Sequence, residues 1–272
     1  MPARTQYFGK LDLRPYEMKQ TMLMEIGDGW FKRTMADSRP TSTTRVPWAF
    51  SCWFYKTSTA AANVDMGIIG YWKDTNSQEL LAYNTTTDGR IGWLSKPNTT
   101  SIRSRLQSNG TVTSSIWRHL YFTSNAYYTG SYYVDPRMWI NGVEQTASYV
   151  NSTVAWQRIN GPYECRIGQC NSGDSGSYIL RGYIGDILFI DGAMPPVTDL
   201  GYIDPDSGLW LPRDPTETLD LTSYGKNTCF LDFRDKTNAT TLGYDHSGKG
   251  NNWTPVSNVS PSNVTDFSPT NP

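Results

Sequence analysis

The 272-residue chain is short of charge, cysteine and histidine, and each shortage removes a class of function. Charged residues are 18% of the sequence, against roughly 25% in an ordinary soluble domain. The 24 Lys and Arg offset 25 Asp and Glu to a formal net charge of −1. A chain so balanced has no overall field to attract a polyanion, so no nucleic-acid partner is expected. The longest apolar runs, such as Met66-Gly67-Ile68-Ile69-Gly70-Tyr71-Trp72, fall far below the roughly 18 residues of a spanning helix, so no membrane insertion is expected. Met1-Pro2-Ala3-Arg4-Thr5-Gln6-Tyr7 lacks the apolar core of a secretory signal, which predicts a protein made in a cytoplasm.

The four cysteines, Cys52, Cys165, Cys170 and Cys229, are too few for a disulfide scaffold and lack the Cys-x-x-Cys spacing of a zinc site; reduced, buried thiols are expected. There are two histidines. His119 lies between Trp117 and Tyr121 in a strand-like pattern and reads as a hydrogen-bonded structural residue. His246 lies in the glycine-rich stretch Asp245 to Asn252, which has no Lys-Ser/Thr ending of a phosphate cradle and reads as a turn.

What the chain does have is 13% aromatic residues, with Ser, Thr, Asn and Gly throughout, which is material for strands and turns. Trp48, Phe50, Cys52 and Phe54 alternate with Ala49, Ser51, Trp53 and Tyr55, so both faces of this strand carry bulk and it should be central. Strands are also expected at Ile68 to Trp72, Leu80 to Tyr83, Ile91 to Leu94, Ser115 to Ser124, Tyr163 to Cys170 and Tyr178 to Ile190. Asn141-Gly142 between Arg137 to Ile140 and Val143 to Thr146 predicts a tight hairpin, because both residues tolerate the positive φ of a type I′ turn. This density of strands predicts an all-β sandwich.

Two stretches read differently. After Pro15, Met18, Met22, Leu23 and Ile26 recur at near-helical spacing, which predicts a short helical arm over residues 1–26, packed on its own sandwich or docked on a neighbouring subunit. The sandwich is expected over 27–214. Residues 215–272 are loop-rich, with Phe230-Leu231-Asp232-Phe233 as the strand-like piece, and cannot bury enough apolar surface alone to offset chain entropy. They should be ordered only by lying on the sandwich or a neighbour, with Leu231 and Phe233 on one strand face and Trp253 anchoring the loop.

The pieces Gly27 to Arg33, Phe50 to Phe54, Trp117-Arg118-His119-Leu120, Trp139-Ile140-Asn141-Gly142-Val143, Arg166-Ile167-Gly168 and Gly182 to Asp191 resemble, in order, the strands of a laminin-G-like or concanavalin A-like jelly roll. Asp204 to Pro212, Phe230 to Asp235, Leu242 to Pro255 and Asp266 to Asn271 are similar to segments that follow such a sandwich in tail-fibre and other virion structural proteins of bacteriophages, notably marine ones. The resemblance implies a non-enzymatic structural protein located in a virion, as a tail fibre, head-surface appendage or capsid decoration. Its partners would be other virion proteins and copies of itself, as a trimer in a fibre, with Met18, Met22, Leu23 and Ile26 contributing to assembly. The alternative is a host-surface glycan-binding adhesin, for which Tyr127, Tyr128, Tyr132 and Tyr133 beside Gly130 offer stacking faces.

Some relatives of this fold bind calcium through loop carboxylates. Asp204 and Asp206, with the carbonyls around Ser207-Gly208, supply the oxygen ligands Ca2+ requires, and the competing reading is an Asp-rich turn set by Pro205 and Gly208. A second alternative is a laminarinase-like glycoside hydrolase. Retaining hydrolysis needs two carboxylates about 5–5.5 Å apart, yet no strand carries a Glu-x-Asp-x-x-Glu-like run, and the odd spacing of Asp186 and Asp191 puts them on opposite faces of a regular strand. No catalytic residue is assigned.

Overall fold

Alternation of apolar residues sets almost every element of the chain. In a computed structural model, the described residues are 16–25, 27–36, 38, 46–57, 66–74, 77–84, 89–96, 104–112, 115–128, 132–133, 136–146, 161–170 and 179–270. The strands among them are β1 Thr21–Met24, β2 Trp30–Thr34, β3 Val46–Lys56, β4 Met66–Asp74, β5 Ser77–Asn84, β6 Arg90–Lys96, β7 Ser104–Gln107, β8 Trp117–Tyr128 and β9 Tyr132–Tyr133. They continue as β10 Pro136–Ile140, β11 Val143–Glu144, β12 Glu164–Ile167, β13 Gly182–Asp191, β14 Gly201–Ile203, β15 Trp210–Pro212, β16 Cys229–Leu231, β17 Thr254–Val256 and β18 Val264–Thr265. Two four-residue helices, α1 Pro215–Thr218 and α2 Ala239–Leu242, lie between the late strands.

Two antiparallel sheets face each other as a concanavalin A-like jelly roll. One runs β11-β10-β8-β3-β13-β1-β18, with β16 added to β13 and β9 to β8; the other runs β17-β2-β12-β4-β5-β6-β7. Trp48, Phe50, Cys52 and Phe54 of β3 point into a common core with Leu120, Phe122, Ile184, Ile187 and Phe189 from their own sheet and Phe31, Ile91, Trp93, Cys165 and Ile167 from the other. Trp48 and Trp93 meet across the core at 4.8 Å between ring centroids, a contact worth about 0.5–1.5 kcal/mol beyond burial alone. All four cysteines are buried and free.

As the alternation on both its faces requires, β3 is central, between β8 and β13. Its outer neighbours Ala49, Tyr121, Leu188, Ile190 and Phe230 are covered by a second apolar cluster that Leu200 and Leu221 bring down from residues 193–224. The Asn141-Gly142 turn has the two positive φ values, 50° and 74°, that its sequence predicts, with Ile140 opposite Val143.

The helix expected after Pro15 is absent from the described residues: β1 is a strand, with Met22 opposite Ile184 of β13 and also opposite Val264 of β18. The spacing of four between Met18 and Met22 suits a strand face as well as a helix face. The buried set Met18, Met22 and Met24 is even-numbered throughout, and period two is the strand period. Pairing on both sides gives this backbone the hydrogen bonds a helix would otherwise supply. Pro15 and Ile26 lie outside the described residues.

The stretch from residue 215 onward contributes strands to both sheets, β16 on β13, β17 on β2 and β18 on β1. Trp253 is buried, and its indole N–H donates to Cys229 Sγ at 3.3 Å. The strand-like piece is shorter than its pattern predicts. β16 ends at Leu231, and Phe233 takes φ +56° and turns its ring to Phe31, 5.9 Å away.

Candidate functional site

Two aspartates of β13 have opposite fates. Asp191, at the strand's end, is a satisfied structural carboxylate: its Oδ2 accepts from Ser38 Oγ at 2.6 Å and from Asn227 N and Nδ2, each at 3.2 Å. Asp186 is 7% exposed, yet its Oδ2 has no hydrogen-bond partner. Buried polar atoms are nearly always paired, so one left open on a strand is a departure that needs a cause.

The cause begins with a β-bulge. Gly185 pairs with Trp53 and Leu188 with Ser51, so β13 places two residues, Asp186 and Ile187, where β3 has one. Asp186 takes φ +44° there, a conformation Asp tolerates better than most residues. The extra residue also resets the face count along β13, so the simple parity between Asp186 and Asp191 does not hold across it. On the opposite edge of β13, β1 pairs with Gly182 to Ile184 and β16 with Ile187 to Phe189. Asp186 therefore lies at the seam between two strands that share one edge.

A cleft of 390 Å³ opens at this seam, within the range of about 300–1,000 Å³ common for small-molecule sites. It is lined by Tyr16, Glu17, Lys19 and Gln20 from the lead into β1, Asp186 from the bulge, Asp214 from the end of the hairpin β14–β15, and Asp232 and Arg234 from beyond β16. Gln20 Oε1 is a second buried atom without a partner. Tyr16 hydrogen-bonds the Asp186 carboxyl; burial, then the nearby carboxylates, raises the Tyr16 phenol and keeps it protonated. Burial first, then the charge of Asp232, holds Asp186 well above the ordinary carboxyl range, with the Tyr16 hydrogen bond opposing and Asp214 adding to the rise.

The other groups are anchored. Asp214 caps α1, its Oδ1 accepting from Thr216 N at 2.8 Å. Asp232 is contacted by the Arg234 guanidinium, accepts from Arg234 N at 3.1 Å and lies 2.8 Å from His246 Nδ1. Among the described residues no three His, Cys, Asp or Glu side chains converge to hold a metal ion. The cleft thus presents dispersed acceptors, two cations of which Arg234 is committed to Asp232, and a tyrosine edge, an arrangement matched by an organic ligand with several donor groups.

The residues singled out from sequence lie elsewhere. Tyr127 pairs with Tyr133 and Tyr128 with Tyr132 in the β8–β9 ladder; their side chains lie outside the described residues. Asp204 and Asp206 sit in the turn between β14 and β15. Asp204 Oδ2 accepts from Ser207 N at 2.9 Å and Ser207 Oγ at 2.5 Å, which spends that carboxylate on the turn and lowers its pKa. Met18 and Met22 are buried within their own chain and Leu23 is half-buried, so the stripe expected to serve assembly packs intramolecularly at its two buried methionines. Asp245 accepts from Phe230 N, Ser247 N and Asn251 N, as a turn organiser would.

No family model and no curated protein matches the sequence. Among solved structures, a Bacteroides ovatus protein described as carbohydrate binding is similar at TM-score 0.50 and 13% identity, over 89% of this chain and 59% of that one. A SAP-like pentraxin of Limulus polyphemus has TM-score 0.39 at 13% identity, over 70% of this chain and 94% of its own. The CBM40 module of a Ruminococcus gnavus sialidase, bound to α2,3-sialyllactose, has TM-score 0.38 at 13% identity, over 62% of this chain and 89% of its own. At such identities the likeness is one of fold.

Proposed function

We propose that this chain is a non-catalytic glycan-binding sandwich whose site is the cleft at the β13 bulge. One observation carries the reading: a buried carboxyl, bonded to Tyr16, keeps its Oδ2 without a partner at a positive-φ bulge, facing a cleft of ligand size whose other walls are hydrogen-bonding side chains. Such a group lowers stability unless something binds it, and binding sites are where proteins keep such costs. Sugars offer rings of hydroxyl groups that pair with carboxylate, amide and guanidinium edges. The jelly-roll fold that this chain shares with the Bacteroides ovatus carbohydrate-binding protein is compatible with that use.

Nucleophilic catalysis is disfavoured at the contact between Ser51 and His119. Ser51 Oγ lies 2.7 Å from His119 Nε2, but Trp210 donates its indole proton to His119 Nδ1. A neutral imidazole accepting at Nδ1 carries its proton on Nε2, so it donates to Ser51 and cannot serve as its base.

A glycan array tests the reading with wild type and with Asp186→Asn, which keeps the size of the side chain and removes its charge. Reproducible binding that the substitution weakens tenfold or more supports it. Absence of binding to any glycan overturns it. The setting is proposed from the sequence resemblance of Asp204 to Pro212, Phe230 to Asp235, Leu242 to Pro255 and Asp266 to Asn271: a virion appendage, in which glycan binding would hold the particle to a host surface. Mass spectrometry of purified particles decides that setting, and absence of the chain from them rejects it.

A further inference from the structure

We infer that the cleft at the β13 bulge selects a ligand bearing a protonated amine, such as an amino sugar with its amine free, over the neutral or N-acetylated counterpart. This rests on the glycan-binding reading and adds the ligand's chemical class.

Among the residues that line the cleft, the two unpartnered buried atoms, Asp186 Oδ2 and Gln20 Oε1, are both acceptors once the carboxyl is ionised. An ammonium group has three donors and no acceptor, so it meets both without leaving a lone pair opposed. A hydroxyl group supplies one donor. The charges agree: Glu17, Asp186, Asp214 and Asp232 face the cleft against Lys19 and Arg234, and Arg234 is already committed to Asp232. Of these carboxylates, the one with a buried oxygen lacking a hydrogen-bond partner is Asp186 at the bulge. A bare metal ion does not serve instead, because no three ligands converge among the described residues.

Proton balance gives the pairing a signature. Burial and the neighbouring Asp232 favour the protonated form of Asp186 in the empty cleft. An ammonium beside it favours the carboxylate, so Asp186 gives its proton to bulk buffer as the ligand enters while the ligand keeps its own. Affinity for the amine therefore rises with pH through the raised Asp186 pKa, until the ligand's amine itself loses its proton.

The test is isothermal titration of the full chain with a chitosan tetramer and with its fully N-acetylated counterpart, at a mildly acidic pH where the sugar amines are protonated, in two buffers of different ionisation enthalpy. The tetramer with free amines is expected to bind at least tenfold more tightly and to release protons. Asp186→Asn is expected to reduce that preference to under threefold and abolish the release. Asp206→Asn, in the exposed turn between β14 and β15 and outside the cleft, should keep the release. Equal or tighter binding of the acetylated tetramer overturns the amine preference while leaving a glycan site in place. An amine preference unchanged in Asp186→Asn also overturns it, because the discrimination then lies elsewhere.

Discussion

The Trp210 indole N–H donates to His119 Nδ1 at 3.2 Å, with the two rings stacked 6.0 Å apart. The contact fastens the hairpin β14–β15 onto the outer face of β8. Two glycines make room for it: a Cβ on Gly142 would come within 2.4 Å of the Trp210 ring, and one on Gly201 within 2.5 Å. Trp210→Phe removes the donor and leaves a buried imidazole nitrogen unpaired, so a loss of about 1–3 kcal/mol is expected in urea unfolding. Gly142→Ala should cost stability as well, since it combines the clash with φ +74°.

His119 gives the fold an acid sensitivity whose sign follows from its burial. Desolvation pushes its pKa down from 6.5 to about 3, so between those values the unfolded chain takes up a proton that the folded one refuses. Stability from this residue is complete above pH 6.5 and is lost as pH falls toward 3, by up to about 1.4 kcal/mol per pH unit. Unfolding midpoints from pH 7 to pH 4 should fall less steeply in His119→Gln than in wild type. Parallel slopes would show that His119 is not held neutral.

Asp186 acts in the opposite direction. Its folded pKa lies well above the ordinary 3.8, so any stability it contributes is present below pH 3.8 and is lost as pH rises through the folded value. At neutral pH, Asp186→Asn is therefore expected to stabilise the fold by on the order of 1 kcal/mol, while weakening ligand binding. Asn also accepts the positive φ at this position. Thermal unfolding at pH 7 and pH 3.5 checks the sign: the variant's advantage should shrink in acid. A variant less stable than wild type at pH 7 would make Asp186 a structural residue.

The trailing segment should behave as part of the sandwich. Residues 229–265 supply β16, β17 and β18 to both sheets, so limited proteolysis of the isolated chain is expected to leave 179–270 uncut. Trp253→Ala, at a position 2% exposed, should cost about 3–5 kcal/mol. Rapid cleavage throughout 216–270 would contradict the strand pairing.

Much of this fold is legible in local pattern. Strand β3, the faces of β8 and the Asn141-Gly142 hairpin follow from period two and turn chemistry within a few residues. Residues 16–24 mislead because a spacing of four serves a strand and a helix alike, and the partner that decides between them, β18, lies more than 200 residues away in sequence. Phe233 misleads in another way, since a positive φ ends the alternation that its neighbours predict. The cleft was the least legible feature. Tyr16, Gln20, Asp186, Asp214, Asp232 and Arg234 come from four separate segments, and no short-range signal links them. The bulge that exposes Asp186 depends on how β3 pairs, and so the parity of Asp186 and Asp191 in sequence points away from the site.

Amide chemical-shift mapping tests the central claim most directly, with isotope-labelled protein titrated with the strongest-binding glycan from the array. The account predicts shifts concentrated at 16–20, 185–187, 214 and 232–234, reduced in Asp186→Asn. Shifts confined to the tyrosine ladder at 127–133, or to any surface away from the β13 bulge, would contradict it.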